Sequence, residues 1–277
     1  MGSAAKGIAM QTEGIVVIRG GGDLATGIVQ KFFRSGIKLL VLETEKPTAI
    51  RRTVALSEAV YTGYAKVEDI SCTLVESLSE LEKCYEQGDV PIMVDSGALC
   101  IAQLKPIAVI DAILAKRNLG THKGMAPVTI GLGPGFSAGK DVDAVIETMR
   151  EHDLGRLILK GCARVNTGIP GEIGGKSEER VVRAPAAGEV RHIRRIGDIV
   201  EAREALCEIE GNTVTSPFKG LLRGLIREGL RVPRGMKIAD IDPRLDVDWQ
   251  TISDKARCIG GAVLEAFFYL RNCREKK

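Results

Sequence analysis

The residues best suited to chemistry stand near the start of the chain. A short branched apolar run, Gly14–Arg19 (GIVVIR), leads directly into Gly20-Gly21-Gly22-Asp23. Phosphate oxygens reach backbone N–H groups only where no Cβ intervenes, and the N-terminus of a following helix favours the negative charge. Gly27, one turn further on, suits close packing of that helix on a strand. Glu43 stands 21 residues after Gly22, where a dinucleotide-binding unit holds ribose hydroxyls with an acid. The Gly22–Gly27 spacing is longer than that of G-x-G-x-x-G, and Asp23 would repel a phosphate unless it caps the helix or meets a cation. A tight turn in an ordinary α/β domain accounts for the same residues, so both readings stay open.

Two more groups have similar potential. Gly131-Leu132-Gly133-Pro134-Gly135-Phe136-Ser137-Ala138-Gly139 forms a second glycine-rich loop after a strand-like run, and Asp141 is placed to cap a helix over 141–151. Lys116, Arg117 and Asn118 are adjacent polar groups suited to phosphate or carboxylate. Arg51-Arg52 is a comparable basic pair. Each of these sets also fits a solvated surface. Cofactor-binding candidates are therefore Gly20, Gly21, Gly22, Asp23, Gly27, Glu43, Lys116, Arg117, Asn118, Gly133 and Gly135, with no catalytic residue identifiable.

These groups need a scaffold that aligns them. Strands are expected at 14–19, 37–42, 90–95, 107–110, 127–132 and 156–160, and helices at 24–35, 76–87 and 141–151. Strands alternating with helices imply a parallel sheet covered on both faces, with ligands beyond the carboxyl ends of its strands. The expected fold is α/β: a Rossmann-like domain over 14–180 after a flexible tail 1–13, a small barrel-sandwich hybrid over 181–243, and a C-terminal helix within 244–277.

The second domain rests on an internal repeat with an offset of 32 residues. Pro185 falls on Pro217, Gly188 on Gly220, Arg191 on Arg223, Gly197 on Gly229, Val200 on Val232 and Ile209 on Ile241. Its opening, A-P-x-x-G-x-V, resembles that of lipoyl and biotinyl carrier domains. Those carriers need a lysine at the hairpin joining their halves. Here the junction is Ile209-Glu210-Gly211-Asn212-Thr213-Val214, and Lys219 and Lys237 lie elsewhere. The module therefore reads as a docking scaffold and not a swinging arm. Arg203 stands where the second copy has Gly235. Between the domains, 161–180 is rich in glycine and reads equally as linker or ligand loop, with Asn166, Thr167 and Gly171 the candidates. In the C-terminal helix, Ile259, Val263, Leu264 and Phe267 read as core or as a contact between copies in a homo-oligomer.

Composition narrows the function classes. The 277 residues are 44% hydrophobic and 27% charged, with mean hydropathy +0.04; a disordered or fibrous chain is excluded. The 32 glycines exceed the usual ~7% share and belong to turns or close backbone approaches. Net charge is +3 and aromatics are 4%, which does not point to nucleic acid or a membrane surface. No run is apolar enough for a transmembrane span, and 1–13 lacks a signal-peptide core. The seven cysteines form no C-x-x-C pair and the three histidines are scattered. No metal site is expected, and most of the thiols read as buried ones in a reducing cytoplasm.

Taken together, IRGGGDLATG, PTAIRRTVALSEAVY, DAILAKRNLGT, GLGPGFSAGKDVDAVIETMR, NTGIPGEIGG, KIADIDPR and ISDKARCIGGAVLEA resemble the YqeB-type accessory proteins of the selenium-dependent molybdenum hydroxylase system, from about Ile15 to Ala266. That family is distantly similar to XdhC-type maturation factors. Arg203 and the proline-free stretch Val94-Asp95-Ser96-Gly97 depart from its pattern. The resemblance implies a cytoplasmic maturation protein that handles a molybdenum cofactor for a client hydroxylase or other maturation proteins. The ligand would be a molybdopterin dinucleotide or NAD(P). Two other functions compete. An NAD(P)-dependent oxidoreductase is motivated by the first loop and Glu43, although the chain has no Tyr-x-x-x-Lys. A non-catalytic adaptor would dock a client hydroxylase.

Overall fold

The computed structural model describes residues 14–168 and 171–275; the expected tail lies outside them. The chain forms two compact units. The first comprises the described parts of Met1–Pro47, Ala55–Asn166 and Ile252–Lys277, and the second comprises Thr48–Val54 with the described parts of Thr167–Thr251. The second unit thus starts before residue 181 and takes in a seven-residue segment from the N-terminal half. The C-terminal helix belongs to the first.

The strands of the first unit are β1 (Ile15–Arg19), β2 (Lys38–Glu43), β3 (Tyr64–Val67), β4 (Ile70–Leu74), β5 (Val90–Val94), β6 (Ala108–Asp111), β7 (Val128–Leu132), β8 (Ser137–Ala138), β9 (Ala144–Ile146), β10 (Leu157–Ile158) and β11 (Gly161–Cys162). Its helices are α1 (Asp23–Arg34), α2 (Ala59–Thr62), α3 (Leu81–Glu86), α4 (Ile101–Leu104) and α5 (Asp254–Glu275). Nine strands form one sheet in the order β10-β9-β7-β6-β1-β2-β5-β4-β3, while β8 pairs with β11. The sheet is parallel except for its two edge strands, β3 and β10, which are antiparallel. Val16, Val17 and Ile18 of β1 are fully buried, as expected of a central strand covered on both faces. Because β2 and β6 flank β1 on opposite sides, the chain direction across the sheet reverses beside β1. Open α/β sheets bind ligands at such a switch point.

Helix α1 packs on α5. Phe32 and Phe267 meet at 5.4 Å between ring centroids with their planes tilted by 57°, and the helix backbones approach closely at their glycines. A Cβ on Gly27 would lie 2.4 Å from the Ala256 carbonyl oxygen, and one on Gly260 would lie 2.4 Å from that of Gly27. Gly27 therefore serves helix–helix packing, not the helix–strand packing expected. Buried Ala256, Ile259, Val263 and Phe267 recur at helical spacing, so this face of α5 is core of the first unit.

The expected helix over 141–151 is absent. Val142, Ala144, Val145 and Ile146 are fully buried, and β9 runs parallel to β7. A short strand buried on both faces has no polar alternation to separate it from one face of a helix. Asp141 instead accepts the Ser137 N–H at 2.8 Å and closes a turn.

The strands of the second unit are β12 (Val181–Arg183), β13 (Gly188–His192), β14 (Ile199–Val200), β15 (Ala205–Ile209), β16 (Asn212–Thr215), β17 (Gly220–Leu225), β18 (Arg231–Val232) and β19 (Lys237–Asp242). They form two four-stranded antiparallel sheets, β12-β19-β17-β14 and β16-β15-β13-β18. Exchanging β12 to β15 with β16 to β19 converts one order into the other, so the halves interlock about a pseudo-twofold. The backbone bonds obey the same exchange. Gly197 N–H donates to Leu222 O and Gly229 N–H to Val190 O, each at 2.9 Å; Arg203 N–H donates to Ser216 O and Gly235 N–H to Ala184 O, each at 2.8 Å. No closed barrel is formed among the described residues: the two sheets are not joined to each other by strand pairing. At the junction, Glu210 (φ +48°) and Gly211 (φ +74°) are both left-handed, as a two-residue hairpin turn demands.

Candidate functional site

Parallel register brings the ends of the central strands into line. Leu42, Arg19, Asp111 and Gly131 stand side by side on β2, β1, β6 and β7, with Glu43 one residue beyond beside Val94. The loops after β1, β6 and β7 therefore rise from one edge, the outer two about 10 Å apart.

The glycines of these loops differ in what excludes a side chain. Gly20 is left-handed (φ +96°), and a Cβ there would sit 3.0 Å from Ala112 O. On Gly21 it would sit 3.1 Å from the Ser57 nitrogen, whose N–H donates to Gly21 O at 2.8 Å. In the second loop, Gly133 is left-handed (φ +68°) and faces Thr148 at 2.5 Å, while Gly135 (φ +113°) faces the Arg117 backbone at 2.7 Å. Protein packing accounts for all four. Gly22 is different. It has an ordinary φ of −68°, and nothing lies within 4 Å of a Cβ built there. It precedes α1 without a side-chain cap, so an anion could approach the helix N-terminus at this point.

Glu43 lies against the same loop. Its Oε2 accepts the Gly21 N–H at 2.8 Å, and its Oε1 accepts the Thr44 N–H at 2.7 Å. Burial pushes its carboxyl above the usual range, with the two N–H donors opposing. Asp23 opens α1, where the helix dipole favours a negative charge. Its electrostatic neighbour is Lys255 at the start of α5, whose ammonium is pulled down by burial while Asp23 supports it. Lys255 is thus a cation in the neighbourhood of Asp23; sequence spacing gave no sign of it, because it lies more than 200 residues away.

The basic trio separates. Lys116, left-handed at φ +61°, and Arg117 are exposed. Asn118 is committed within its own loop: Oδ1 accepts the N–H of Gly120 and Thr121 at 2.9 and 2.8 Å, and Nδ2 donates to Thr121 O at 2.8 Å. Arg51 and Arg52 belong to the second unit and bond backbone carbonyls there, at Thr251 and Leu225. Arg180 likewise holds Gly171 O, at 3.2 Å.

A buried cluster escaped sequence reasoning. Arg19, Asp111 and Thr121 are all nearly inaccessible. Thr121 donates to Asp111 Oδ2 at 2.6 Å, and Arg19 donates to Thr121 Oγ1 at 2.5 Å, to Ser96 O at 3.0 Å and to Leu119 O at 3.4 Å. Arg19 thus ties the loops after β5 and β6 to the end of β1. Burial raises the Asp111 carboxyl, while Thr121, the Ile113 N–H and Arg19 oppose it. Its only sequence signal is a charged residue closing an apolar strand.

Only three of the seven cysteines are buried: Cys72, Cys84 and Cys207. Cys100 is half-buried, and Cys162, Cys258 and Cys273 are exposed, which corrects the expectation that most are buried. No group of three or more potential metal ligands occurs among the described residues. No helix among them is long and apolar enough to cross a membrane.

Comparisons with known proteins add a relative. No protein-family model matches the chain. Among solved structures, an aspartoacylase family protein from Mesorhizobium loti aligns over 78% of this chain and 60% of that one, with 8% identity and a TM-score of 0.25. The apo ectoine utilization protein EutE (DoeB) from Ruegeria pomeroyi aligns over 82% and 86%, with 9% identity and a TM-score of 0.25. Scores this low carry no argument. In sequence, the chain is 50% identical over 257 residues to "Uncharacterized protein YqeB" of Escherichia coli (strain K12), which spans 92% of this chain. The chain covers about half of that relative's length, 48%. Nearly the whole chain is thus similar in sequence to about half of that YqeB protein.

Proposed function

We propose that this chain acts as a cytoplasmic accessory protein in the maturation of a selenium-dependent molybdenum hydroxylase. In this reading the first unit binds a pyrophosphate-containing ligand at the switch point beside β1. The observation that carries it is Gly22, open where its loop neighbours are closed by packing. The class of ligand follows from the chemistry of the edge. Backbone N–H groups at the start of α1 and the Lys255 ammonium suit phosphate oxygens, and Glu43 suits the hydroxyls of a ribose. A molybdopterin dinucleotide combines those features, and so does NAD(P). The bound group would supply the redox or metal chemistry; the residues here would hold and orient it. The second unit, whose hairpin carries Glu210-Gly211 in place of a lysine, would be the docking scaffold for the client.

Equilibrium titration with each dinucleotide tests this reading. Gly22→Val fills the open space and costs the fold about 1 kcal/mol as a poorer helix start. Binding by the parent chain and its loss in folded Gly22→Val is the expected result. Failure of every pyrophosphate ligand to bind the folded parent would remove the reading.

A second reading, an NAD(P)-dependent oxidoreductase, is favoured by the Glu43 carboxylate, which lies against the glycine loop and would accept ribose hydroxyls. Turnover of nicotinamide absorbance with candidate substrates separates the two. If Gly22→Val leaves maturation of the client intact, the chain is an adaptor.

A further inference from the structure

The motif KIADIDPR takes no part in the dinucleotide site. It forms β19 and its exit in the second unit, and the pseudo-twofold provides an internal control for it. Asp240, Asp242 and Arg223 correspond to Glu208, Glu210 and Arg191 in the other half. Those three are exposed, as outward positions on a two-sided antiparallel sheet should be. Asp240 and Asp242 are 2% and 0% exposed. One outer face has become a charged interior where its twin has not.

Four cations converge on the two carboxylates. Arg223 bonds Asp240 Oδ2 at 2.7 Å and Asp242 Oδ2 at 3.0 Å. Arg244 holds Asp242 at 2.9 Å, Lys237 reaches Asp240 at 3.6 Å, and Arg180 reaches Asp240 at 3.3 Å. Burying an ion requires both an opposite charge and satisfied hydrogen bonds, and Arg180 is short of the second. It is 4% exposed, its bonds to Asp240 and Gly171 O are all 3.2 Å or longer, and its buried Nε has no partner. The cluster reaches solvent through Lys237 and Arg244, whose side chains are 39% and 47% exposed.

We infer that this cluster is an anion site for a phosphate-type oxyanion, seated between the exposed Lys237 and Arg244 and drawing on the under-bonded Arg180 behind them. Its ligand chemistry is that of an oxyanion with several acceptor oxygens, which guanidinium and ammonium donors suit. This site is independent of the dinucleotide reading, since it lies wholly within the second unit.

The probe is inorganic phosphate, titrated against chloride at equal ionic strength into the full chain. Trp249, the single tryptophan, packs in the second unit against Gly197 and reports by its emission. Saturable phosphate binding is expected, weakened roughly tenfold in the Lys237→Gln/Arg244→Gln variant and unchanged in Gly22→Val. Should the double variant fail to fold, Lys237→Gln alone removes one half-exposed amine, and a several-fold loss is expected. A response equal to that with chloride overturns the inference. So does phosphate binding that survives these substitutions, or that disappears in Gly22→Val, which would locate it in the first unit.

Discussion

At the scale of single residues, glycine is informative only once its surroundings are known. Gly20, Gly21, Gly133 and Gly135 share a composition signal with Gly22, yet each is required by a neighbouring atom or a left-handed backbone. Arg203 makes the converse case. It holds φ +67° at the position where Gly235 holds +82°, and the repeat alignment already identifies the mismatch. A non-glycine residue there costs about 1–2 kcal/mol, partly offset by the greater unfolded-state entropy of glycine. Arg203→Gly is therefore expected to stabilise the second unit by roughly 0.5–1 kcal/mol, read as a higher urea midpoint with unchanged slope. Arg19 carries the opposite expectation. Arg19→Leu leaves Asp111 buried without its cation and is expected to cost roughly 3 kcal/mol. Adding Asp111→Asn should recover part of that loss, and an additive double variant would show that the two do not act together.

At the scale of elements, what was legible depended on burial. The unit β1-α1-β2, strands β5, β6 and β7, and the 32-residue repeat were readable because each has an apolar pattern bounded by turn residues. Strand β9 was misread as a helix because Val142, Val145 and Ile146 suit either period when both faces are covered. Nor could the sequence show that Thr48–Val54 joins the second unit, because that depends on contacts with residues more than 150 positions away. The candidate loops were legible as loops; which of their glycines face open space was not. The α1–α5 crossing gives a paired test. Gly27→Ala or Gly260→Ala places a methyl against backbone oxygen and should cost about 1–3 kcal/mol. Gly261, in the same helix with nothing within 4 Å of a Cβ, should gain roughly 0.5–1 kcal/mol as alanine. Thermal midpoints that moved the same way in all three would contradict the close crossing.

At the scale of the whole molecule, two pairs of buried carboxylates, one in each unit, respond to acid in opposite senses. In the first, burial raises Glu43 and Asp111, so their ionisation weakens the folded state as pH rises from the ordinary carboxylate range through the raised values. In the second, burial pushes Asp240 up but Lys237, Arg223 and Arg180 outweigh it, and Arg244 and Arg223 do the same for Asp242; both end below their usual value. Their stabilisation is present above about pH 4 and is lost as pH falls through the lowered values. Trp249 emission should therefore hold steady down to about pH 4 and change only below it; a transition centred well above that range would contradict the ionised cluster. The central claim remains ligand capture beside β1, and native mass spectrometry of the chain purified from its own cells tests it most directly. The parent chain is expected to carry a pyrophosphate-containing nucleotide, and folded Gly22→Val is expected to lack it. A folded parent with no such mass, or the same mass retained by Gly22→Val, would contradict the account.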